Sequence, residues 1–135
     1  MLKRAALLIA VLGAGAAALV WFATAPQPLQ AAALPEHQPD PANGERMFYA
    51  GGCSSCHAAP EAGGDEKLRL GGGLELATDF GTFRVPNISP DPKTGIGSWS
   101  TLDFVNAVIR GVSPGGAHYY PSFHIRPTAA CPPRT

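Results

Sequence analysis

The sequence predicts a small helical protein with long loops, behind a single apolar helix at its N-terminus. An uncharged apolar run opens the chain, and helical patterns follow near residues 43–50 and 101–110. Gly (16) and Pro (14) together make up 30 of the 135 residues. That share is well above the usual ~12%, so loops occupy much of the chain. The length suits one small domain.

The charge balance excludes one class of function. Lys and Arg number 10, Asp and Glu number 10, and the formal net charge is therefore zero. Nucleic-acid binding needs a clear basic excess, so we expect no nucleic-acid partner. Lys3 and Arg4 are the only charges before Glu36, which leaves 8 − 10 = −2 for the remainder of the chain.

Residues 1–25 form an export segment. Lys3 and Arg4 precede a run of 21 residues, 5–25, that is apolar apart from two glycines and Thr24. As a helix this run would rise about 31 Å and match the ~30 Å hydrocarbon core of a bilayer. A cleaved signal peptide and an uncleaved signal anchor both stay open. We favour the anchor because Pro26 hinders cleavage after Ala25, and because the apolar run is longer than the apolar region of an ordinary signal peptide. Either way, the rest of the chain lies outside the cytoplasm.

Two helices can be placed from local signals. Asp40 followed by Pro41 is an N-cap with proline in the first turn, and it predicts a short helix ending at the glycines 51–52. Ser100 or Thr101 starts a second helix, with an apolar stripe at 102, 105, 108 and 109 and Gly111 at its end. We expect this stripe to pack in the core.

Residues 53–57 read Cys-Ser-Ser-Cys-His, the C-x-x-C-H attachment motif of c-type haem. Two cysteines at this spacing can reach both vinyl groups on one edge of a porphyrin. The histidine that follows then lies beneath the ring, where its imidazole can bind the iron.

Three other uses of these cysteines stay open. A thioredoxin-like dithiol follows a strand, and no strand pattern precedes Cys53. A zinc site needs two further ligands, and His118 and His124 lie more than sixty residues beyond Cys56. A structural disulfide across two residues would be unusually tight. We favour haem over all three.

Together with its flanks, the motif resembles the class I-type c-type cytochromes. More narrowly, residues 39–123 are similar to the cytochrome c subunits of bacterial membrane-bound alcohol, aldehyde and gluconate dehydrogenases and their mono- and dihaem relatives. The run PNISPDPKTGIGSWS, residues 86–100, is the most discriminating part. The resemblance implies an all-α fold with long loops around one covalent haem c. It also implies single-electron transfer without catalysis, with a membrane-bound dehydrogenase or oxidase as redox partner.

The resemblance also assigns residue roles. Cys53 and Cys56 match the haem attachment positions, and His57 matches the proximal iron ligand. Trp99 resembles the indole that closes the haem edge, although an ordinary core role stays open. Pro86 belongs to the loop that the family places on the proximal side.

The chain departs from the family at the sixth iron ligand. The family uses a methionine downstream of the attachment motif, whereas this chain contains only Met1 and Met47, both upstream of it. His118 or His124 could substitute at the iron, and such bis-His ligation lowers the potential relative to His/Met.

The last residues depart from the family too. Permitted codons for residues 123–135, read from the third base, give PYPSYGRMPPED, which is the continuation that the family leads us to expect. We therefore interpret residues 124–135 as a C-terminal truncation or frameshift, a hypothesis that DNA sequencing around Phe123 tests.

The expected organisation is a signal anchor or signal peptide over 1–25, a Pro-rich linker over 26–39, an incomplete cytochrome c domain over 40–123 and a tail over 124–135. We expect the protein in the bacterial inner membrane facing the periplasm, or free in the periplasm after cleavage. The alternatives to electron transfer are a haem-binding remnant without redox function and a metal- or disulfide-binding module.

Overall fold

A computed structural model describes residues 2–36 and 38–120. About half of these residues are helical. The chain divides into two compact units, one formed by residues 1–30 and 105–135 and the other by residues 31–104. The predicted tail, with His124, lies outside the described residues.

The first unit begins with helix α1, Leu2–Thr24. All of its described residues are exposed, and its 23 residues are long and apolar enough to cross a membrane. A signal sequence near the N-terminus has the same properties, so the helix fits both interpretations of the export segment.

In the remainder of the first unit, the buried side-chain amide of Asn106 joins two segments that are distant in sequence. Asn106, only 7% exposed, accepts the backbone N–H of Leu29 at 2.6 Å and donates to the Leu29 carbonyl at 3.3 Å. Val112 is 2% exposed and forms an antiparallel bridge with His118. The segment after α1 is therefore hydrogen-bonded to the Asn106 side chain at Leu29.

The second unit opens with helix α2, Pro41–Ala50, which confirms the predicted cap and helix. The Asp40 carboxylate accepts the backbone N–H of Asn43 at 2.9 Å, and this bond satisfies one of the donors that a helix start leaves unpaired. The helix ends at Gly51, and Gly52 takes the left-handed conformation that reverses the chain into helix α3, Cys53–His57.

A β-hairpin follows, which the all-α expectation did not include. After a 3₁₀ segment at Gly64–Arg69, strands β1, Glu75–Thr78, and β2, Gly81–Arg84, pair antiparallel. Thr78 Oγ1 donates to the Gly81 carbonyl at 2.9 Å and closes the turn. Helices and hairpin thus coexist, and the all-α prediction is confirmed only in part.

Helix α4, Thr101–Val105, starts where predicted and continues as a π-helical turn over Asn106–Arg110. Gly111 ends it in the left-handed conformation. Val108 and Ile109 are nevertheless about half exposed, at 48% and 49%. The stripe was predicted from a 3.6-residue period, which the wider π turn does not keep.

The start of α4 is a reciprocal capping box with aspartate in place of the usual glutamate. Ser100 Oγ accepts the backbone N–H of Asp103 at 3.1 Å, and the Asp103 carboxylate accepts the backbone N–H of Ser100 at 2.9 Å. The Ser100 hydroxyl also donates to that carboxylate, at 2.6 Å. Both bonds to the carboxylate hold the pKa of Asp103 below its ordinary value, and the bond from the Ser100 hydroxyl contributes more than the bond from the Ser100 backbone.

We expect this cap to make the stability of the protein depend on pH. A carboxyl whose pKa is lower in the folded state stabilises above its unfolded pKa, and this contribution is lost as the pH falls through the folded value. Asp103→Asn should therefore flatten the loss of unfolding free energy as the pH falls below the ordinary pKa of an aspartate, 3.8. Urea unfolding at several pH values measures it, and equal slopes in both proteins would contradict it.

Candidate functional site

The attachment motif forms the single helical turn α3. Cys53 and His57 are four residues apart and Cys56 is three residues from Cys53, so the spacing places all three on one side of the turn. Both thiols are free, that of Cys53 half-buried and that of Cys56 exposed. Ser55 Oγ donates to the Gly52 carbonyl at 2.6 Å and fixes the start of the turn.

The imidazole of His57 is oriented by a backbone carbonyl. Its Nδ1 lies 2.8 Å from the carbonyl oxygen of Pro86. A carbonyl oxygen only accepts, so Nδ1 carries the proton in the neutral ring. Nε2 then holds the lone pair and is the ring nitrogen able to bind a metal.

The hairpin delivers Pro86 to this position. Beyond the two strands, its ladder continues through two backbone bonds, from Val85 N–H to the Leu74 carbonyl and from Gly73 N–H to the Val85 carbonyl, both 2.8 Å. Val85 is buried, at 8% exposure. Because Pro86 is the next residue, the hairpin fixes where its carbonyl lies.

Residues 86–100 form a compact loop. The Asp91 carboxylate accepts the backbone N–H groups of Thr94 at 2.7 Å and Lys93 at 2.9 Å. These bonds, the one from Thr94 foremost, hold the pKa of Asp91 below its ordinary value. Asn87 joins both ends of the turn, because its amide donates to Thr94 Oγ1 at 3.2 Å and accepts the backbone N–H of Ser89 at 2.8 Å.

The other predicted site residues lie apart from the contact between His57 and Pro86. Trp99 is half-buried near the end of the loop, and its backbone N–H donates to the Ile96 carbonyl at 3.0 Å. His118 belongs to the first unit, where its Nε2 lies 2.9 Å from the Thr24 carbonyl. As with His57, that bond places the proton on the bonded nitrogen and leaves the lone pair on the other. The role of His118 as a sixth ligand stays a prediction.

A metal site built from protein side chains alone needs at least three ligands close together. Among residues 2–36 and 38–120, no three side chains of His, Cys, Asp or Glu lie close enough together to hold a metal ion.

Known proteins match this chain over part of its length. It is 62% identical over 80 residues to a diheme cytochrome c-type protein of Cereibacter sphaeroides, a match that covers 59% of this chain and 27% of the relative. This chain is a homologue of the c-type cytochromes. No protein-family model matches it.

Two further relatives of this cytochrome c homologue are subunits of dehydrogenases. The gluconate 2-dehydrogenase cytochrome c subunit of Pantoea cypripedii is 41% identical over 97 residues, which are 70% of this chain and 21% of that protein. The cytochrome c subunit of the quinone alcohol dehydrogenase of Gluconobacter oxydans is 35% identical over 79 residues, 58% of this chain and 16% of that protein. The chain thus spans about a quarter or less of the length of these relatives.

The residues present fit the haem c that these relatives imply. Two free thiols at the attachment spacing share a turn with an imidazole whose lone pair is on Nε2. Thiols supply the two thioether bonds, and a neutral imidazole supplies the axial nitrogen. The donor set of the c-type cytochrome homologue is therefore complete on the attachment side.

Sequence reasoning placed Pro86 in the site but did not find the hairpin that positions it. Residues 81–85, Gly-Thr-Phe-Arg-Val, carry only a weak strand signal, from their β-branched and aromatic residues.

Proposed function

We propose that this chain is an exported c-type haem protein that carries single electrons from a membrane-bound dehydrogenase or respiratory complex to a downstream acceptor. The observation that carries the proposal is the C-x-x-C-H turn, with His57 Nδ1 bonded to the Pro86 carbonyl at 2.8 Å. A carbonyl acceptor on the far nitrogen of a metal-binding histidine fixes both its tautomer and its ring orientation.

Each residue of the turn has a defined part in holding the group. Cys53 and Cys56 would bind one haem c through thioether bonds, and His57 Nε2 would be the proximal iron ligand. When bound, haem supplies a metal centre that exchanges one electron at a time. The Pro86 carbonyl would keep the imidazole from rotating and, by accepting the hydrogen bond from Nδ1–H, would make Nε2 a stronger electron donor to the iron.

We propose one haem per chain and a location on the periplasmic side of the membrane. The sequence contains one C-x-x-C-H motif, and its only other cysteine is Cys131. Helix α1 supports export, by anchor or by signal peptide. A dehydrogenase as donor is supported by relatives named as cytochrome c subunits of gluconate and alcohol dehydrogenases.

The test is to express the full chain together with the haem-attachment machinery. We expect a haem-stained band that survives a denaturing gel, a reduced-minus-oxidised spectrum of c type, and a reversible one-electron titration. A chain that takes up haem but does not titrate reversibly would identify the redox-inactive remnant instead. A chain without covalent haem would support the metal- or disulfide-binding alternative.

A further inference from the structure

Gly72 contacts both the backbone of His57 and the Pro86–Asn87 peptide. Its backbone N–H donates to the carbonyl oxygen of His57 at 2.7 Å. The residue is buried, and its φ of +69° is in the left-handed region that favours glycine. Gly72 therefore binds the backbone of the histidine whose imidazole is bonded to Pro86.

The other side of Gly72 faces the Pro86–Asn87 peptide. A Cβ at position 72 would lie 2.5 Å from the Pro86 carbonyl carbon, 2.6 Å from its oxygen and 2.6 Å from the Asn87 nitrogen. These are backbone atoms, so no side-chain rotation relieves the overlap. Any residue other than glycine must displace the carbonyl that accepts the Nδ1 proton of His57.

We propose that Gly72 is a positioning residue for His57, acting on the backbone through its own N–H and on the imidazole through the close-packed Pro86 carbonyl. The inference rests on the proposed function, because its main readout is the iron potential. Hydrogen bonding to the axial ligand is one of the means by which a protein tunes that potential.

The direction of the effect follows from the displaced carbonyl. When the bond from Nδ1–H lengthens, the imidazole becomes a weaker base and donates less electron density to the iron. Ferric iron then loses more stabilisation than ferrous iron. Gly72→Ala should therefore raise the midpoint potential and accelerate exchange of the His57 Nδ1 proton.

Two glycines outside the hairpin ladder are matched controls. Gly64 also has a left-handed φ, of +52°, but no atom lies within 4 Å of an added Cβ there. Gly71 has no atom within 4 Å of an added Cβ either, and its φ lies outside the left-handed region. Gly64→Ala thus introduces the backbone strain without the overlap, and Gly71→Ala introduces neither.

The experiment compares the haem-loaded full chain with these three variants by redox titration and by NMR exchange of the His57 Nδ1 proton. We expect a higher potential and faster exchange in Gly72→Ala alone. Equal shifts in Gly72→Ala and Gly64→Ala, or no shift in Gly72→Ala, would overturn the proposal.

A further measurement covers the case in which Gly72→Ala does not accumulate. In the haem-loaded wild type, the Gly72 amide proton and the His57 Nδ1 proton should both be protected from exchange, and rapid exchange of the Gly72 amide would overturn the proposal. A wild type that takes up no haem overturns the proposed function together with this inference. If the wild type takes up haem normally and Gly72→Ala changes neither the midpoint potential nor the exchange of the His57 Nδ1 proton, this inference alone is overturned.

Discussion

Replacing Cys53 and Cys56 together by alanine is expected to abolish covalent haem. The thioether bonds are the only covalent links that the motif offers, and His57 alone would hold haem by one coordinate bond. Acid breaks such a bond by protonating the imidazole, and organic solvent then extracts the released haem, but thioethers stay intact. Haem staining after a denaturing gel, together with solvent extraction, measures the loss.

The single variants and the third cysteine provide the controls. Cys53→Ala and Cys56→Ala should each retain one thioether and a weaker stained band. Cys131→Ala should stain like the wild type, because Cys131 lies outside the motif. Haem that remains covalently bound in the double variant would show that attachment uses other residues.

Gly97→Ala is expected to destabilise the protein by about 3 kcal/mol or more, as overpacking against fixed atoms does in its severe cases. A Cβ at Gly97 would overlap the carbonyl oxygen of Pro90 and lie 2.6 Å from its carbonyl carbon. The Gly97 φ lies outside the left-handed region, so the cost is steric. To relieve it, the loop must open and lose the bonds from the Gly95 and Gly97 N–H groups to the Asp91 carbonyl, at 3.0 and 3.2 Å.

Gly63→Ala is the matched control for that substitution. Gly63 also lies outside the regular elements, has an extended backbone with φ −121°, and has no atom within 4 Å of an added Cβ. We expect its effect to stay within about 0.5 kcal/mol, as for an ordinary surface substitution. Urea unfolding of both variants against wild type gives the difference, and equal stabilities would contradict the steric argument.

Local features were predictable because their causes are local. The bond from Asn43 N–H to Asp40 and the exchange between Ser100 and Asp103 each span three residues. The cysteines and His57 fall within five residues, and covalent chemistry sets their spacing. The long apolar run likewise predicts α1 from composition alone.

The hairpin and the π turn were not predictable in the same way. Strands of four residues with mostly exposed side chains give little alternation of apolar and polar residues. The π turn at Asn106 coincides with the bonds of its side chain to Leu29, which is 77 positions away in the chain. Neither feature has a strong local signal.

The sequence by itself determined the spacing of the C-x-x-C-H motif, the two capped helices and the apolar N-terminal helix, since neighbouring residues decide each of these. Only the tertiary structure decided which atom holds His57. The Pro86 carbonyl is 29 residues away in sequence, and its position depends on the ladder of the hairpin and on the lack of a side chain at Gly72. Contacts of this kind depend on where the chain folds back, which short-range patterns do not specify.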